Sequence, residues 1–281
     1  MTHHGAFLQA ILEEPADDAV RLIYADWLDE NGDGDRAEFI RAQVELANLP
    51  ESHPRRPALQ QLEQRLLGRQ RDAWLGPLRS LAYVWKFVRG FPEEATLDAP
   101  SFLEHAPLLF ASAPLRLVRL LKAGSLIDAV AGCSYLGRIE ALHLTDNGIG
   151  NSGVLWLAQS RHLARLTSLR LGRNQVGDSG VQALALSPYL TRLTALNLSC
   201  NHISSAGAAT LAGSPNLARL RLLHLGDNQI GPGGVEALLA SLHLLRLTAL
   251  DLANSSRFGG NTIGPKQGKA LRQRFGTAAV F

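Results

Sequence analysis

Cysteine is scarce in this chain: Cys133 and Cys200 are the two among 281 residues. They lie in different stretches and make no disulfide framework, so a reducing cytoplasm is the simplest setting. Long apolar runs are missing as well, and nothing approaches the length of a membrane span. The opening MTHHGAFLQAILEEP has no basic segment and no extended apolar core, so it does not read as an export signal. Aromatic residues make up 6% of the chain, which leaves few of the usual anchors of a tight interface.

The net charge of +3 conceals an uneven layout. Residues 1–50 hold 11 acidic side chains against 3 arginines, whereas residues 51–281 hold 14 acidic against 25 basic. Such asymmetry can mark nucleic-acid contact, but here the basic residues are scattered singly and do not form a patch. The expectation is therefore no membrane association and no nucleic-acid partner.

What the chain does have is repetition. Asn147, Asn174, Asn201 and Asn228 stand 27 residues apart, and each closes one phrase: IEALHLTDN, LTSLRLGRN, LTALNLSCN and LRLLHLGDN. Within a phrase, pairs such as Leu142 and Leu144 alternate with other residues at the strand period of two. An aliphatic follows at Ile149, Val176, Ile203 or Ile230, then a glycine at Gly153, Gly180, Gly207 or Gly234, then apolar residues at helical spacing. Each unit thus reads as strand, turn and helix. One unit cannot bury both its strand and its helix, so neighbours must stack. The asparagine amide is expected to satisfy backbone groups where the chain leaves the strand.

The phrase LxxLxLxxN resembles leucine-rich repeats of the ribonuclease-inhibitor type. That resemblance implies an α/β solenoid, with parallel strands inside and helices outside. Two further segments, EEATLDA (Glu93 to Ala99) and LRLVRLL (Leu115 to Leu121), read as degenerate strands, with SFLEHAPLLFAS as a helix between them. At the far end LTALDLAN breaks the pattern, because Ser255 stands where the asparagine is due and SSRFGG interrupts the array before NTIG. The helix KALRQRF follows.

Ahead of the array the pattern is helical. Phe7, Leu8, Ile11 and Leu12 share one face and Pro15 ends the run; Val20, Ile23, Tyr24, Trp27 and Leu28 follow, with Asp17 as a candidate N-cap. Phe39, Ile40 and Val44 mark a third helix, and Leu59, Leu62 and Leu66 a fourth. The elements RLIYADWLDE and RAEFIRAQ closely resemble the repeat-companion domain of planctomycete-type bacterial proteins. The resemblance implies an N-terminal all-α module placed before repeats, with no molecular activity attached to it. The expected organisation is a helical companion module at residues 1–49, a helical connector and cap at 50–90, and the solenoid at 91–281.

Three stretches invite a chemical reading. Asp29, Asn31, Asp33, Gly34 and Asp35 spell the start of a calcium loop, but the twelfth position is Ile40, where the loop needs a bidentate glutamate. YVWKFVRGF interleaves aromatic and basic residues and could stack on nucleic acid; burial as a core cap is the simpler expectation. The third is the row between the paired leucines: His143, Arg170, Asn197, His224 and Asp251. His143 and His224 are three strand steps apart, about 14 Å, too far to share one ion. His224 and Asp251 are adjacent, yet no nucleophile stands beside them. Next along come Thr145, Gly172, Ser199, Gly226 and Ala253, small residues expected to leave the floor open, and then Asp146, Arg173, Cys200 and Asp227 in the exit loops.

These features point to a non-enzymatic interaction protein without cofactor, metal or evident small-molecule substrate. A protein partner is expected on the strand-lined face, at His143, Arg170, Asn197, His224, Asp251, Asp146, Arg173 and Asp227. Two rivals stand beside this reading. Similarity to Ran GTPase-activating proteins implies a regulator of GTP hydrolysis, for which Arg173 and Arg257 are the available arginines. The basic array, in turn, implies nucleic-acid binding that weakens with salt.

Overall fold

The computed structural model describes residues 3–254 and 260–281. They divide into two compact units: residues up to Leu97 with Glu104–Leu117, and Asp98–Leu103 with Val118–Phe281. The helix α5 (Ala99–Ser112) contributes to both.

The first unit opens with four helices: α1 (His3–Glu13), α2 (Asp18–Glu30), α3 (Gly34–Asn48) and α4 (Arg56–Leu75). Local chemistry sets their ends. Asp17 caps α2 by accepting from Ala19 N at 2.8 Å, and Asp33 caps α3 by accepting from Arg36 N at 3.2 Å. Pro57 sits in the first turn of α4, where its missing N–H costs nothing. An apolar core joins Ile11 of α1, Tyr24, Ala25 and Leu28 of α2, and Ala37, Ile40 and Val44 of α3 to Phe91.

Two strands complete the unit. β1 (Val84–Val88) and β2 (Phe91–Asp98) form an antiparallel hairpin. Residues 84–88, expected within a helical connector, are therefore extended; Trp85 and Phe87 alternate inward while Val84 and Lys86 face out, which is the strand period. At the hairpin turn Gly90 has φ +89°, and a Cβ there would lie 2.5 Å from Cγ1 of Ile40, so only glycine fits. Gln43 binds the same turn, its Oε1 accepting from Gly90 N at 2.7 Å.

The paired motifs of the N-terminal stretch now have physical roles. Arg21 is fully buried and donates to Glu93 Oε1 at 2.7 Å, Pro15 O at 2.8 Å and Arg89 O at 2.8 Å. Burial lowers its pKa to about 10 and raises that of Glu93, the mark of a pair held out of water. On the outer side Arg41 bridges Asp26 at 2.7 Å and Asp29 at 2.9 Å.

The second unit carries the repeats. After β3 (Leu117–Leu121) and α6 (Ile127–Gly132) come β4 (Ala141–His143), α7 (Gly150–Gln159), β5 (Ser168–Arg170), α8 (Asp178–Leu186), β6 (Ala195–Asn197), α9 (Ser205–Ala212), β7 (Leu222–His224), α10 (Pro232–Ala240) and β8 (Ala249–Asp251). Strands β4 to β8 pair parallel, each to the next, with residues 27 apart in register. The helices α7 to α10 pack successively against one another. Between strands and helices lies the core: Leu142, Leu169, Leu196, Leu223 and Leu250, with Leu144, Leu171, Leu198, Leu225 and Leu252, are each at most 1% exposed. Each such side chain contributes roughly 1.5–3 kcal/mol of burial. A closing helix α11 (Pro265–Phe275) leads to β9 (Ala279–Val280), which extends the parallel sheet beside β8.

The glycine at each helix start is a packing requirement. A Cβ on Gly234 would sit 2.8 Å from Ser205 Cα, backbone of the preceding unit, and 2.7 Å from Ile230 Cγ2, so a side chain there would force the neighbouring unit to move.

Candidate functional site

The register brings the central row together as the sequence period requires. His143 lies opposite Arg170, Arg170 opposite Asn197, Asn197 opposite His224 and His224 opposite Asp251. Their surroundings differ. Arg170 is exposed, and Asn197, His224 and Asp251 are half-buried. His224 Nδ1 lies 3.3 Å from Asp251 Oδ2. Asn197 Oδ1 accepts from Ser199 N at 3.0 Å, and Asp251 Oδ1 accepts from Ala253 N at 2.9 Å, so both side chains are fixed by the backbone two residues on.

His143 departs from the expectation of a solvated row. It is 6% exposed, and its Nδ1 has no hydrogen-bond partner among the described residues. Burial, reinforced by Arg170 and Arg119, lowers its pKa to about 4. The ring is neutral at pH 7 and is part of the packing, with little surface to offer a partner.

The floor next to this row is open only in part, which corrects the expectation. Gly172 and Gly226 are buried: a Cβ on Gly226 would lie 2.6 Å from Ala253 O, which leaves no room for one, and a Cβ on Gly172 would lie 3.3 Å from Ser199 O, a tight fit. Thr145 is exposed, and Ser199 and Ala253 are half-buried.

The exit loops follow. Asp146, Arg173, Cys200 and Asp227 all have left-handed backbone, with φ of 60°, 58°, 57° and 51°. For non-glycine residues this conformation costs roughly 1–2 kcal/mol each. It lets each N–H reach the next unit: Asp146 N donates to Gly172 O, Arg173 N to Ser199 O, Cys200 N to Gly226 O and Asp227 N to Ala253 O. Cys200 Sγ donates to Asp227 Oδ2 at 3.5 Å; burial and that carboxylate together raise the thiol pKa. Asp146 and Arg173 are exposed.

Behind the loops the asparagines form a continuous ladder. Asn174 Nδ2 donates to Leu144 O at 2.8 Å and Gly172 O at 3.1 Å, while its Oδ1 accepts from Asn147 N at 3.0 Å and Ile149 N at 3.3 Å. Asn201 repeats the arrangement toward Leu171 O, Asn174 N and Val176 N, and Asn228 toward Leu198 O and Ile203 N. Asn147, at the start, reaches Leu120 O and accepts from Ala123 N. A fifth rung exists where the period appears to fail. Asn261 donates to Leu225 O at 2.8 Å and Leu252 O at 3.1 Å and accepts from Ile230 N at 3.0 Å. Asn254 closes the excursion, its Oδ1 accepting from Asn261 N and its Nδ2 donating to Asn261 O, both at 2.8 Å. Residues 255–259 of the insertion, including Ser255 and Arg257, lie outside the described residues.

A second ladder was missed in the sequence although it keeps the same interval. Ser160, Ser187, Ser214 and Ser241 are buried, and their Oγ atoms donate to Ala131 O, Ala158 O, Ala185 O and Ala212 O at 2.5–2.6 Å. Each binds the preceding unit's helix end, where carbonyls lack partners within the helix.

The remaining candidate stretches resolve into structure. Asp29 engages Arg41, Asn31 Nδ2 donates to Trp27 O, Asp33 caps α3, and Asp35 accepts from Gln70 at 3.2 Å. In YVWKFVRGF, Trp85, Phe87 and Phe91 are buried, which takes their faces away from any stacking ligand; Tyr83 is exposed.

A leucine-rich-repeat family model matches residues 139–158, 162–185, 189–212 and 219–239. The chain carries leucine-rich repeats. The matched segments contain β4 to β7 and α7 to α10, and the Asn147-to-Asn228 ladder runs through them. Among solved structures, an internalin from Listeria monocytogenes is similar at 22% identity and a TM-score of 0.37, covering 73% of this chain. This chain spans 62% of that internalin chain. No curated protein sequence matches. Among the described residues no helix is long and apolar enough to cross a membrane.

Proposed function

We propose that this protein is a non-enzymatic, cytoplasmic scaffold whose leucine-rich repeats bind a protein partner on their strand-lined face. The observation that supports it most is the registered row Arg170, Asn197, His224 and Asp251, accessible side chains held on strands whose opposite face is buried core. Strands fix such groups before a partner arrives, so little ordering entropy is lost on binding. The exposed Arg173 and Asp146 extend the surface into the exit loops. The row is basic at Arg170 and acidic at Asp251, so the partner carries an acidic group near the first and a basic group near the second. The N-terminal helices, with Arg21, Tyr24, Trp27, Arg36 and Ile40 in their characteristic order, serve as the repeat-companion module of a planctomycete-type bacterial protein.

The test is affinity capture from the native cell with the full chain. Arg170→Ala and Asp251→Asn should each weaken partner recovery about five-fold or more, while stability changes by no more than about 0.5 kcal/mol. Gln182→Glu, on the exposed side of α8, is the control. Loss of capture by the control alone would place binding on the helices and overturn the reading.

A further inference from the structure

The first unit contains a cavity of about 420 Å³, within the size range of small-ligand sites. Its walls mix apolar side chains, Leu8, Trp74, Leu78 and Phe91 among them, with polar ones, and one buried cation lines it: Arg36, 7% exposed. The guanidinium is surrounded by aromatic rings, its carbon lying 4.5 Å from the centroid of Trp74, 5.2 Å from Phe91, 5.6 Å from Phe87 and 5.7 Å from Phe39. Ring faces attract a cation but accept no strong hydrogen bond. Nη1 has no hydrogen-bond partner among the described residues.

Arg21 shows what a purely structural buried arginine looks like in the same unit. It is fully buried, paired with Glu93, and bonded to two carbonyls, leaving Nε alone without a partner. Arg36 has no such pairing. The one carboxylate in the cavity wall, Asp33, uses Oδ1 to cap α3 and makes no ion pair with Arg36. A buried cation left this way is costly unless something completes it.

We propose that this cavity is a binding site for a carboxylate attached to an apolar body, with Arg36 as its anchor. A carboxylate is the acceptor best matched to a guanidinium edge; Nη1 itself is closed to solvent in this structure, so two-pronged pairing there requires the Arg36 side chain to shift on binding. Asp33, in the same wall and acting electrostatically on Arg36, repels any anion there and so disfavours a dianion such as phosphate more than a single carboxylate. The apolar side chains then cover the body of the ligand. Tyr24 Oη and His4 Nδ1, hydrogen-bonded to each other at 2.7 Å in the same wall, supply a second polar contact. Such a carboxylate is borne either by a free small acid or by a chain terminus.

Calorimetry on the full chain tests this with benzoate as the small acid, N-acetyl-phenylalanine as the mimic of a chain terminus, and benzamide as the neutral isostere of benzoate. At least one acid should bind saturably, and the tighter of the two identifies the source. The neutral amide of whichever acid binds, benzamide or N-acetyl-phenylalaninamide, should bind about ten-fold or more weakly than that acid, and a folded Arg36→Met variant should lose acid binding by a similar factor. The isostere comparison uses the unaltered protein, so it remains decisive if Arg36→Met does not fold. The proposal is overturned if neither acid saturates by about 10 mM, if the amide of the acid that binds equals it, or if folded Arg36→Met binds the acids as the unaltered chain does.

Discussion

Replacing Asn261 with leucine should destabilise the repeats more than replacing Asn254, although neither keeps the 27-residue period. Leucine keeps the branched shape and heavy-atom count of asparagine but is bulkier, so the substitution removes the hydrogen bonds and adds some crowding. At Asn201 it leaves Asn174 N and Val176 N, two buried backbone donors, without their acceptor, and takes a donor from Leu171 O. An unsatisfied buried group costs roughly 1–3 kcal/mol, so two orphaned donors bring the loss to about 3 kcal/mol after partial relaxation. At Asn261 the orphaned groups are Ile230 N and the carbonyl of Leu252, since Leu225 O keeps its bond from Asn228 Nδ2 at 2.9 Å, and the residue is 5% exposed. The expected loss there is about 2 kcal/mol. Asn254→Leu cuts two bonds at a more exposed position and should cost about 1 kcal/mol. Urea melts followed by far-UV circular dichroism give all three values. If Asn261→Leu cost no more than Asn254→Leu, the fifth rung would be wrongly assigned.

Other consequences are as direct. Because His143 titrates near 4 when folded and near 6.5 when unfolded, its contribution is fully present above pH 6.5 and is lost as pH falls toward 4; His143→Gln should flatten stability over that window, by up to about 3 kcal/mol, and an unchanged pH slope would refute its burial as neutral imidazole. Glu93→Ala leaves Arg21 buried and unpaired, so it should destabilise the first unit by about 3 kcal/mol or more in thermal melts; a neutral result would contradict the buried pair. Cys200 should react with iodoacetamide more slowly than a free thiol at pH 8, and Asp227→Asn should speed it; equal rates would remove Asp227 from the account.

Much of the second unit was legible because repetition turns one ambiguous strand into several in register. Leu169, Leu196 and Leu223 are buried and aligned as their spacing demands. Asn261 escaped because the insertion shifts it six residues beyond the due position, and a one-dimensional period cannot show the chain returning to the same point. Ser160, Ser187, Ser214 and Ser241 kept the period in plain view; a buried serine simply looks like a surface one in sequence. His143 and Arg170 occupy equivalent strand positions, yet one is buried and the other exposed, a difference the repeat period does not carry. The strand at Val84–Val88 carried its alternation openly, but its aromatic content read equally as a helical cap. The Arg36 cavity was out of reach, since Leu8, Arg36, Trp74 and Phe91 meet only after α1, α3, α4 and β2 have packed.

The proposed partner lies against the strands rather than the helices. A photo-crosslinking residue placed in turn at Asn197, in the middle of β6, and at Gln182, on the exposed side of α8, tests this inside the native cell. Irradiation should give a discrete protein adduct from position 197 and none from position 182. An adduct from 182 with none from 197 would contradict the claim and move the binding surface to the helices.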